Sequence, residues 1–273
     1  MGKLIPIATA FITVYNEERW IANAVQSLLV QTLEDIEILV VDDGSDDRTL
    51  ERLNIFSDPR LRIISRERSG RANSLAFTCL EARGRYLANL DADDEAYPDR
   101  LEKQVSFLDS HPNHAWVGAG EEREDSQRGE HIHRLYPETN SKIRKQSSKC
   151  IPYCHSAITF RRELIDQGIN YDSEQPYLID FEFFLRVAKQ FKVANLPEIL
   201  VMRRARHESY FQSHFTRTEQ NKRLAKFCLK AVHDFDLPFW YSVYPFFRLV
   251  YPYFPNNLKK LIRSKHGMKE ING

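Results

Sequence analysis

The run Ile36-Glu37-Ile38-Leu39-Val40-Val41-Asp42-Asp43-Gly44-Ser45 is a mostly apolar stretch that stops on two aspartates, a glycine and a serine. A short apolar run bounded by turn residues reads as a buried strand, and Asp-Asp-Gly-Ser is turn chemistry that leads into a helix, here over residues 46–54. The same alternation continues on both sides. Upstream, residues 9–14 (TAFITV) read as a strand, followed by a helix over 17–31 in which Ile21, Ala24, Val25, Leu28 and Leu29 recur at helical spacing. Downstream come a strand at 61–65, a helix at 71–82 stopped by Gly84, and a strand at 86–90 that runs into Asp91-Ala92-Asp93-Asp94. Pro98 then opens a helix through residue 109, and 115–119 is a fifth strand.

Repeated strand–helix units with apolar strands imply an α/β fold with a mostly parallel sheet covered on both faces. Ligands of such sheets sit beyond the carboxyl ends of the strands. Three polar clusters fall at such ends: Thr13-Val14-Tyr15-Asn16-Glu17, Asp42-Asp43-Gly44-Ser45 and Asp91-Ala92-Asp93-Asp94. Far apart in sequence, they are expected as neighbours on one rim.

Beyond residue 120 the pattern weakens. Residues 121–149 are polar and without apolar period, which reads as a long excursion of loops. Short strands at 158–160, 193–196 and 199–203 and helices at 163–167, 180–190 and 217–235 complete the expected elements. The chain of 273 residues is 42% apolar and 28% charged with a net charge of +1, a globular composition with no overall electrostatic footprint for nucleic acid. That average conceals a split: residues 211–273 hold 11 basic and 4 acidic side chains, against 28 and 34 in residues 1–210. Four cysteines, Cys79, Cys150, Cys154 and Cys228, are too few for a disulfide scaffold, and no charged-then-apolar leader precedes them, so a reducing, cytoplasmic setting is the expectation. Cys150, Cys154 and His155 lack the second ligand pair of a zinc site. The longest apolar stretch, 239–255, is broken by Pro245, Arg248, Pro252 and Pro255 and is no membrane span.

Four carboxylates at one strand end, Asp91, Asp93, Asp94 and Glu95, repel one another unless a cation sits among them. Hard oxygen ligands suit Mg²⁺ or Mn²⁺, and the competing role is an acidic turn that caps the next helix. Asp42 and Asp43 have a similar choice between capping and accepting hydrogen bonds from a ligand.

Together with Ser27-Leu28-Leu29-Val30-Gln31-Thr32, Asp46-Asp47-Arg48-Thr49 and Ala82-Arg83-Gly84-Arg85-Tyr86, these clusters resemble the family 2 glycosyltransferases in order and spacing, closely over residues 8–110 and more loosely to His207. The resemblance implies a GT-A (Rossmann-like) fold with a mixed, mostly parallel sheet flanked by helices, and an inverting transfer from a nucleotide-sugar donor. It divides the chain into a nucleotide-sugar-binding half (1–120), an acceptor-side half of the same domain (121–210) and a basic, aromatic-rich helical tail (211–273). Carried over by position, Thr13, Tyr15 and Glu17 line the nucleotide pocket, Asp43 holds the base, Asp91 lies at the ribose, Arg71 reaches the donor, and Asp93 binds Mn²⁺ or Mg²⁺ bridging the phosphates.

A second similarity covers Tyr177-Leu178-Ile179-Asp180-Phe181-Glu182 and implies that Asp180 is the catalytic base, with Glu182 as the alternative. Position 179 is Ile where these enzymes usually carry Glu, and Ala76 stands where Asn commonly follows the leucine. Cys154-His155-Ser156 resembles a stretch near the acceptor, while Arg203, Arg204 and His207 fall on a loop that closes over the diphosphate, His207 completing the metal shell.

In the tail, aromatics, prolines and then Lys259, Lys260, Arg263 and Lys265 suit a membrane headgroup layer; the other reading docks Phe239, Trp240, Tyr244, Phe246 and Phe247 on the protein's own surface. Expected partners are thus a nucleotide-sugar and a glycan or lipid-linked acceptor, without nucleic acid, at the inner face of a membrane. Two other functions stay open: a GT-A module that binds donor without catalysis, and a metal-dependent phosphohydrolase using Asp91-Ala92-Asp93. A dinucleotide site ranks below both, because Gly118-Ala119-Gly120 lacks its third glycine, position 123 being Arg, and no Walker A loop is present.

Overall fold

The computed structural model describes residues 5–125, 130–204 and 216–255. Strand β1 (Ala8–Val14) lies between β2 (Ile36–Asp42) and β4 (Tyr86–Asn89), and β3 (Leu61–Ser65) flanks β2, all four parallel. The predicted apolar strands are the buried ones: every residue of β2 and β4 is buried, and only Thr13 of β1 is partly exposed. Helices α1 (Ile21–Leu29), α2 (Thr49–Leu53) and α3 (Arg71–Glu81) connect them. Ile21, Ala24, Val25 and Leu28 of α1 are buried, as their spacing requires. The helix is shorter than its pattern because residues 17–20 form a turn, with the Trp20 amide on the Glu17 carbonyl at 3.0 Å.

The sheet then becomes mixed. Among the described residues its order is β3-β2-β1-β4-β8-β6-β9-β5, with β7 beside β6; here β5 is Glu95–Ala96, β6 His114–Asp125, β7 Glu130–Arg134, β8 Thr159–Arg161 and β9 Lys192–Arg204. β8 is antiparallel to β4 and β6, while β6 and β9 are parallel. The expected loop region 121–149 is instead the end of β6, the β6–β7 hairpin and helix α5 (Asn140–Ser147). The two strands expected at 193–196 and 199–203 are one. Pro197 marks a bulge: Gly118 pairs with Asn195 and Gly120 with Ile199, so the chain between them on β9 bows out of the ladder and resumes.

Helix α4 (Arg100–Ser110) stitches the two parts of the sheet. Its Arg100, fully buried, donates to the carbonyls of Asn89 (2.7 Å) and Ile158 (3.0 Å), and Gln104 donates to that of Ala157 (2.7 Å). Burial lowers Arg100 to about 10, still a cation at neutral pH. Short helix α6 (Glu163–Asp166) and helix α7 (Ile179–Gln190) follow, the latter burying Phe181, Phe183, Phe184, Leu185 and Val187.

Among the described residues the chain falls into two compact units, 5–146 with 151–204, and 147–150 with 216–255. The second holds α8 (Arg217–Asp234) and α9 (Val243–Val250). α8 opens with a capping box: Thr216 Oγ1 accepts from the Glu219 amide at 3.3 Å, and the Glu219 carboxylate accepts from the Thr216 amide at 2.9 Å. No helix among the described residues is long and apolar enough to cross a membrane. Cys79, Cys154 and Cys228 are buried thiols, Cys150 is half-buried, and none forms a disulfide.

Candidate active site

Because β1, β2 and β4 are parallel neighbours, their ends bring the three polar clusters onto one rim. The first two are laced together. Asn16, held at φ 54°, receives the Asp46 amide at 3.0 Å on its side chain, and its own amide donates to Ser45 Oγ at 3.0 Å. The Glu17 amide donates to Thr49 Oγ1 at 2.8 Å, and the Glu18 amide to Asp47. Asp47, quoted in the sequence motif without a role, is the carboxylate that secures the start of α2, accepting the Thr49 amide at 2.9 Å. Asp42 instead faces back and takes the Ser45 hydroxyl at 2.5 Å and the Ser65 hydroxyl at 3.2 Å. Gly44 turns the chain at φ 75°, where a Cβ would lie 2.8 Å from the Arg68 amide nitrogen.

Asp43 reaches across to α3. Its carboxylate accepts the Ser69 amide, the Ser69 hydroxyl and the Gly70 amide, each at 2.8 Å. Burial raises its pKa, but these bonds together with one from Ser74 outweigh burial and hold it below the usual carboxylate range. Thr13, Tyr15 and Glu17 are half-buried along the β1 end, with the Arg68 guanidinium 3.6 Å over the Tyr15 ring.

Arg71, the first residue of α3, places Nη2 2.8 Å from Asp91 Oδ1. Asp91 also keeps Asn89 Nδ2 at 3.3 Å and His155 Nδ1 at 3.4 Å. Burial opposes its ionisation, yet Arg71 above all, then His155, hold it well below the ordinary range. Arg71 is raised in turn, first by Asp91 and then, beyond its own desolvation, by Asp180 and Asp93. One guanidinium therefore senses two donor-rim carboxylates and the carboxylate expected to serve as base.

In the turn that follows β4, the Asp94 amide bonds to the Asp91 carbonyl at 3.1 Å, which puts half-buried Asp93 at a corner of the turn. Asp94 points inward, 2% exposed, and accepts from the Ser156 hydroxyl and, at 3.2 Å, from the Arg204 amide. Burial, then the charge of Asp93, push Asp94 up to about 7. Arg203 bridges Asp94 (3.4 Å) and buried Glu121 (2.9 Å), and Arg204 pairs with Glu95. The two arginines expected on a loop over the diphosphate are thus the last residues of β9, bound to the protein's own carboxylates. His207 lies outside the described residues.

Among the described residues no group of three or more His, Cys, Asp or Glu is arranged to hold a metal ion alone. The donor chemistry nevertheless fits an Mg²⁺ or Mn²⁺ ion that takes one carboxylate, Asp93, and completes its shell with phosphate oxygens and water.

The acceptor-side residues approach from α7, whose preceding residue, Leu178, has φ 51°. Such a left-handed leucine carries local strain and fixes how the helix starts. Half-buried Asp180 in the first turn accepts the Tyr153 hydroxyl on Oδ2 at 3.3 Å. Tyr153 is clamped between Trp116 (5.3 Å between ring centroids) and Phe184 (4.8 Å); burial, with Asp180 beside it, keeps its hydroxyl protonated well above the usual range. Glu182, the alternative base, is forked by Arg186 with Nε at 2.8 and 3.0 Å and Nη2 at 2.8 Å. His155 Nε2 meets the Tyr171 hydroxyl at 3.0 Å, while Nδ1 faces Asn89 Nδ2 at 3.2 Å. Asn89, Tyr153 and Tyr171 were not singled out in the sequence. Their one signal is a polar atom on an otherwise core-like residue, since a buried tyrosine hydroxyl usually finds a partner.

A Rossmann-like sheet that turns mixed beyond β4, with carboxylates at its rim, defines the GT-A class of glycosyltransferases, and the solved structures agree. The chain superposes on Staphylococcus aureus TarS in complex with UDP-GlcNAc with a TM-score of 0.67 at 19% identity, covering 89% of this chain and 70% of that one. It superposes on the mannosyltransferase PcManGT of Pyrobaculum calidifontis, in complex with GDP-Man and Mn²⁺, with a TM-score of 0.66 at 17% identity, covering 97% and 81%. Residues 9–169 match the glycosyl transferase family 2 model, and the chain belongs to that family. It is 28% identical to the putative glycosyltransferase EpsE of Bacillus subtilis over 98% of this chain and 97% of that protein. It is also 28% identical to the amylovoran biosynthesis glycosyltransferase AmsE of Erwinia amylovora, over 72% and 76%.

Proposed function

We propose that the protein transfers a sugar from a nucleotide-sugar to a hydroxyl of a glycan or lipid-linked acceptor with inversion, in polysaccharide or glycolipid assembly. The observation that carries this reading is the Arg71–Asp91 ion pair, 2.8 Å, at the rim of a GT-A sheet in a chain of glycosyl transferase family 2, with Asp93 in the turn that follows and Asp180 near enough to raise Arg71 further. A single inverting displacement needs a base on the acceptor side, the role assigned to Asp180. Asp180 removes the acceptor proton as the oxygen attacks the anomeric carbon, and the diphosphate leaves from the far face. With Glu182 forked by Arg186, Asp180 is the better placed of the two.

On the donor side, Thr13, Tyr15 and Glu17 line the nucleotide pocket and Asp91 meets the ribose while held by Arg71. Asp43 is assigned to the base, its carboxylate aimed by the bonds from Ser69, Gly70 and Ser74. Asp93, joined by His207, would hold Mn²⁺ or Mg²⁺, which when bound supplies Lewis-acid stabilisation of the departing diphosphate. A relative named for amylovoran biosynthesis supports the assembly role, and neighbours solved with UDP-GlcNAc and GDP-Man support the donor class. The enzyme would work at the inner face of a membrane, touching it through residues 211–273. Neither alternative is favoured: the chain belongs to glycosyl transferase family 2, and Asp91, the would-be phosphohydrolase nucleophile, is paired with Arg71.

Thermal unfolding against a panel of nucleoside diphosphates and their sugars, with and without Mn²⁺, tests the donor site. One nucleotide should raise the melting temperature, and more so with metal; a flat response to the whole panel would overturn the reading.

A further inference from the structure

Helix α9 is inside out for a surface helix. At about 100° per residue, Val243, Phe246, Phe247 and Val250 form one stripe, and Pro245 and Arg248 lie opposite. Pro245 is buried, and Arg248 is anchored to Asn221 Oδ1 at 3.1 Å and to the Lys149 carbonyl at 2.9 Å. The aromatic stripe faces outward: Val243 is 62% and Phe246 64% exposed, and just ahead of the helix Phe239 is 82% and Trp240 58% exposed. The face that folding ordinarily buries is the one presented to solvent.

Charge narrows what covers it. Lys149 sits 4.2 Å over the Tyr244 ring, at the border of the stripe. The chain continues past Pro255 for 18 residues that carry Lys259, Lys260, Arg263, Lys265 and Lys269 against Glu270 alone. A second copy would bring two segments of the same positive charge together, whereas an anionic lipid surface attracts both features at once.

We infer that the α9 stripe, with Phe239 and Trp240, inserts into the interfacial layer of an anionic membrane, the neighbouring lysines lying at headgroup level. The helix lies in the plane of the surface; eight residues are too few to span it. This deepens the membrane-surface part of the proposed function and is separable from sugar transfer.

The test is flotation of the full chain with vesicles of phosphatidylcholine alone or of equal parts phosphatidylcholine and phosphatidylglycerol. Binding should require the anionic lipid and weaken with salt, and Trp240→Ser with Phe246→Ser should cut the partition coefficient on the order of tenfold or more. Brominated lipid should quench the indole fluorescence lost in Trp240→Phe, a readout on the unperturbed chain. Wild type that ignores anionic vesicles, or a double variant that binds as wild type does, would overturn the inference. So would light scattering that shows a dimer dissociated by the same substitutions, assigning the stripe to a second copy. Nucleotide-induced thermal shifts, unchanged in these variants, report separately on the donor site.

Discussion

Replacing Tyr153 with Phe deletes one oxygen and leaves the ring between Trp116 and Phe184. What is lost is the hydroxyl donated to Asp180 Oδ2 at 3.3 Å. A hydrogen bond to a charged group contributes about 1.5–3 kcal/mol, and a bond longer than the usual hydroxyl distance belongs at the low end. If that bond aims the base, kcat should fall about tenfold, the equivalent of ~1.4 kcal/mol. Donor affinity and melting temperature should stay near wild type, because the ring of Tyr153 keeps its packing against Trp116 and Phe184 and only the hydroxyl is removed. The assay is steady-state transfer to a competent acceptor, with calorimetric titration of the nucleotide, on Tyr153→Phe, Asp180→Asn and the double variant. Asp180→Asn alone should lose at least about a hundredfold in kcat, the scale of general-base catalysis. Added to Asp180→Asn, the Tyr153 change should cost nothing further, since it acts through that carboxylate. Full activity in Tyr153→Phe would refute the positioning role alone; full activity in Asp180→Asn would refute the base assignment.

Asp93→Ala should abolish the Mn²⁺-dependent part of the nucleotide thermal shift, and an unchanged metal response would move the ion elsewhere. Gly84→Ala should destabilise the fold by about 3 kcal/mol or more, read as a lower denaturant midpoint, because the added Cβ would lie 2.2 Å from the Thr9 nitrogen and 2.4 Å from the Ala8 carbonyl carbon, backbone that has nowhere to go. Asp43→Asn should lose about 2 kcal/mol at pH 7. Because the folded-state pKa of Asp43 is depressed from 3.8, its contribution exists above that value and disappears as pH falls through the depressed one. Wild type and variant should therefore converge in urea midpoint at acid pH and diverge toward neutrality.

The alternating first half was legible because β1, β2 and β4 are buried on both faces and its helices on one, so apolar period and structure coincide. The β6–β7 hairpin was not, because its pairing is written in charge. Glu121 is buried against Arg203 and Tyr136, and Glu122 meets Tyr97 and His131, so a polar run forms a strand with no apolar alternation to announce it. The rim carboxylates were readable from spacing at strand ends. Their restraints were not: Asn89, Tyr153, Tyr171 and the inward turn of Asp94 depend on residues that are close only after β4 and β8 pair. Arg203 and Arg204 show the opposite error, two cations whose sequence position suited a phosphate but whose strand placement commits them to Asp94, Glu121 and Glu95.

The buried Arg100 limits how this enzyme can be recombined with its relatives. Residue 120, the boundary expected from the sequence between a donor half and an acceptor half, is the inviting cut for such an exchange. Yet the guanidinium before that cut donates to a carbonyl on each side of it, Asn89 and Ile158, with Gln104 reaching Ala157. A graft that shifts the β8 backbone would strand a cation in the interior, so a workable chimera must carry α4 and the 155–161 segment as one inherited block.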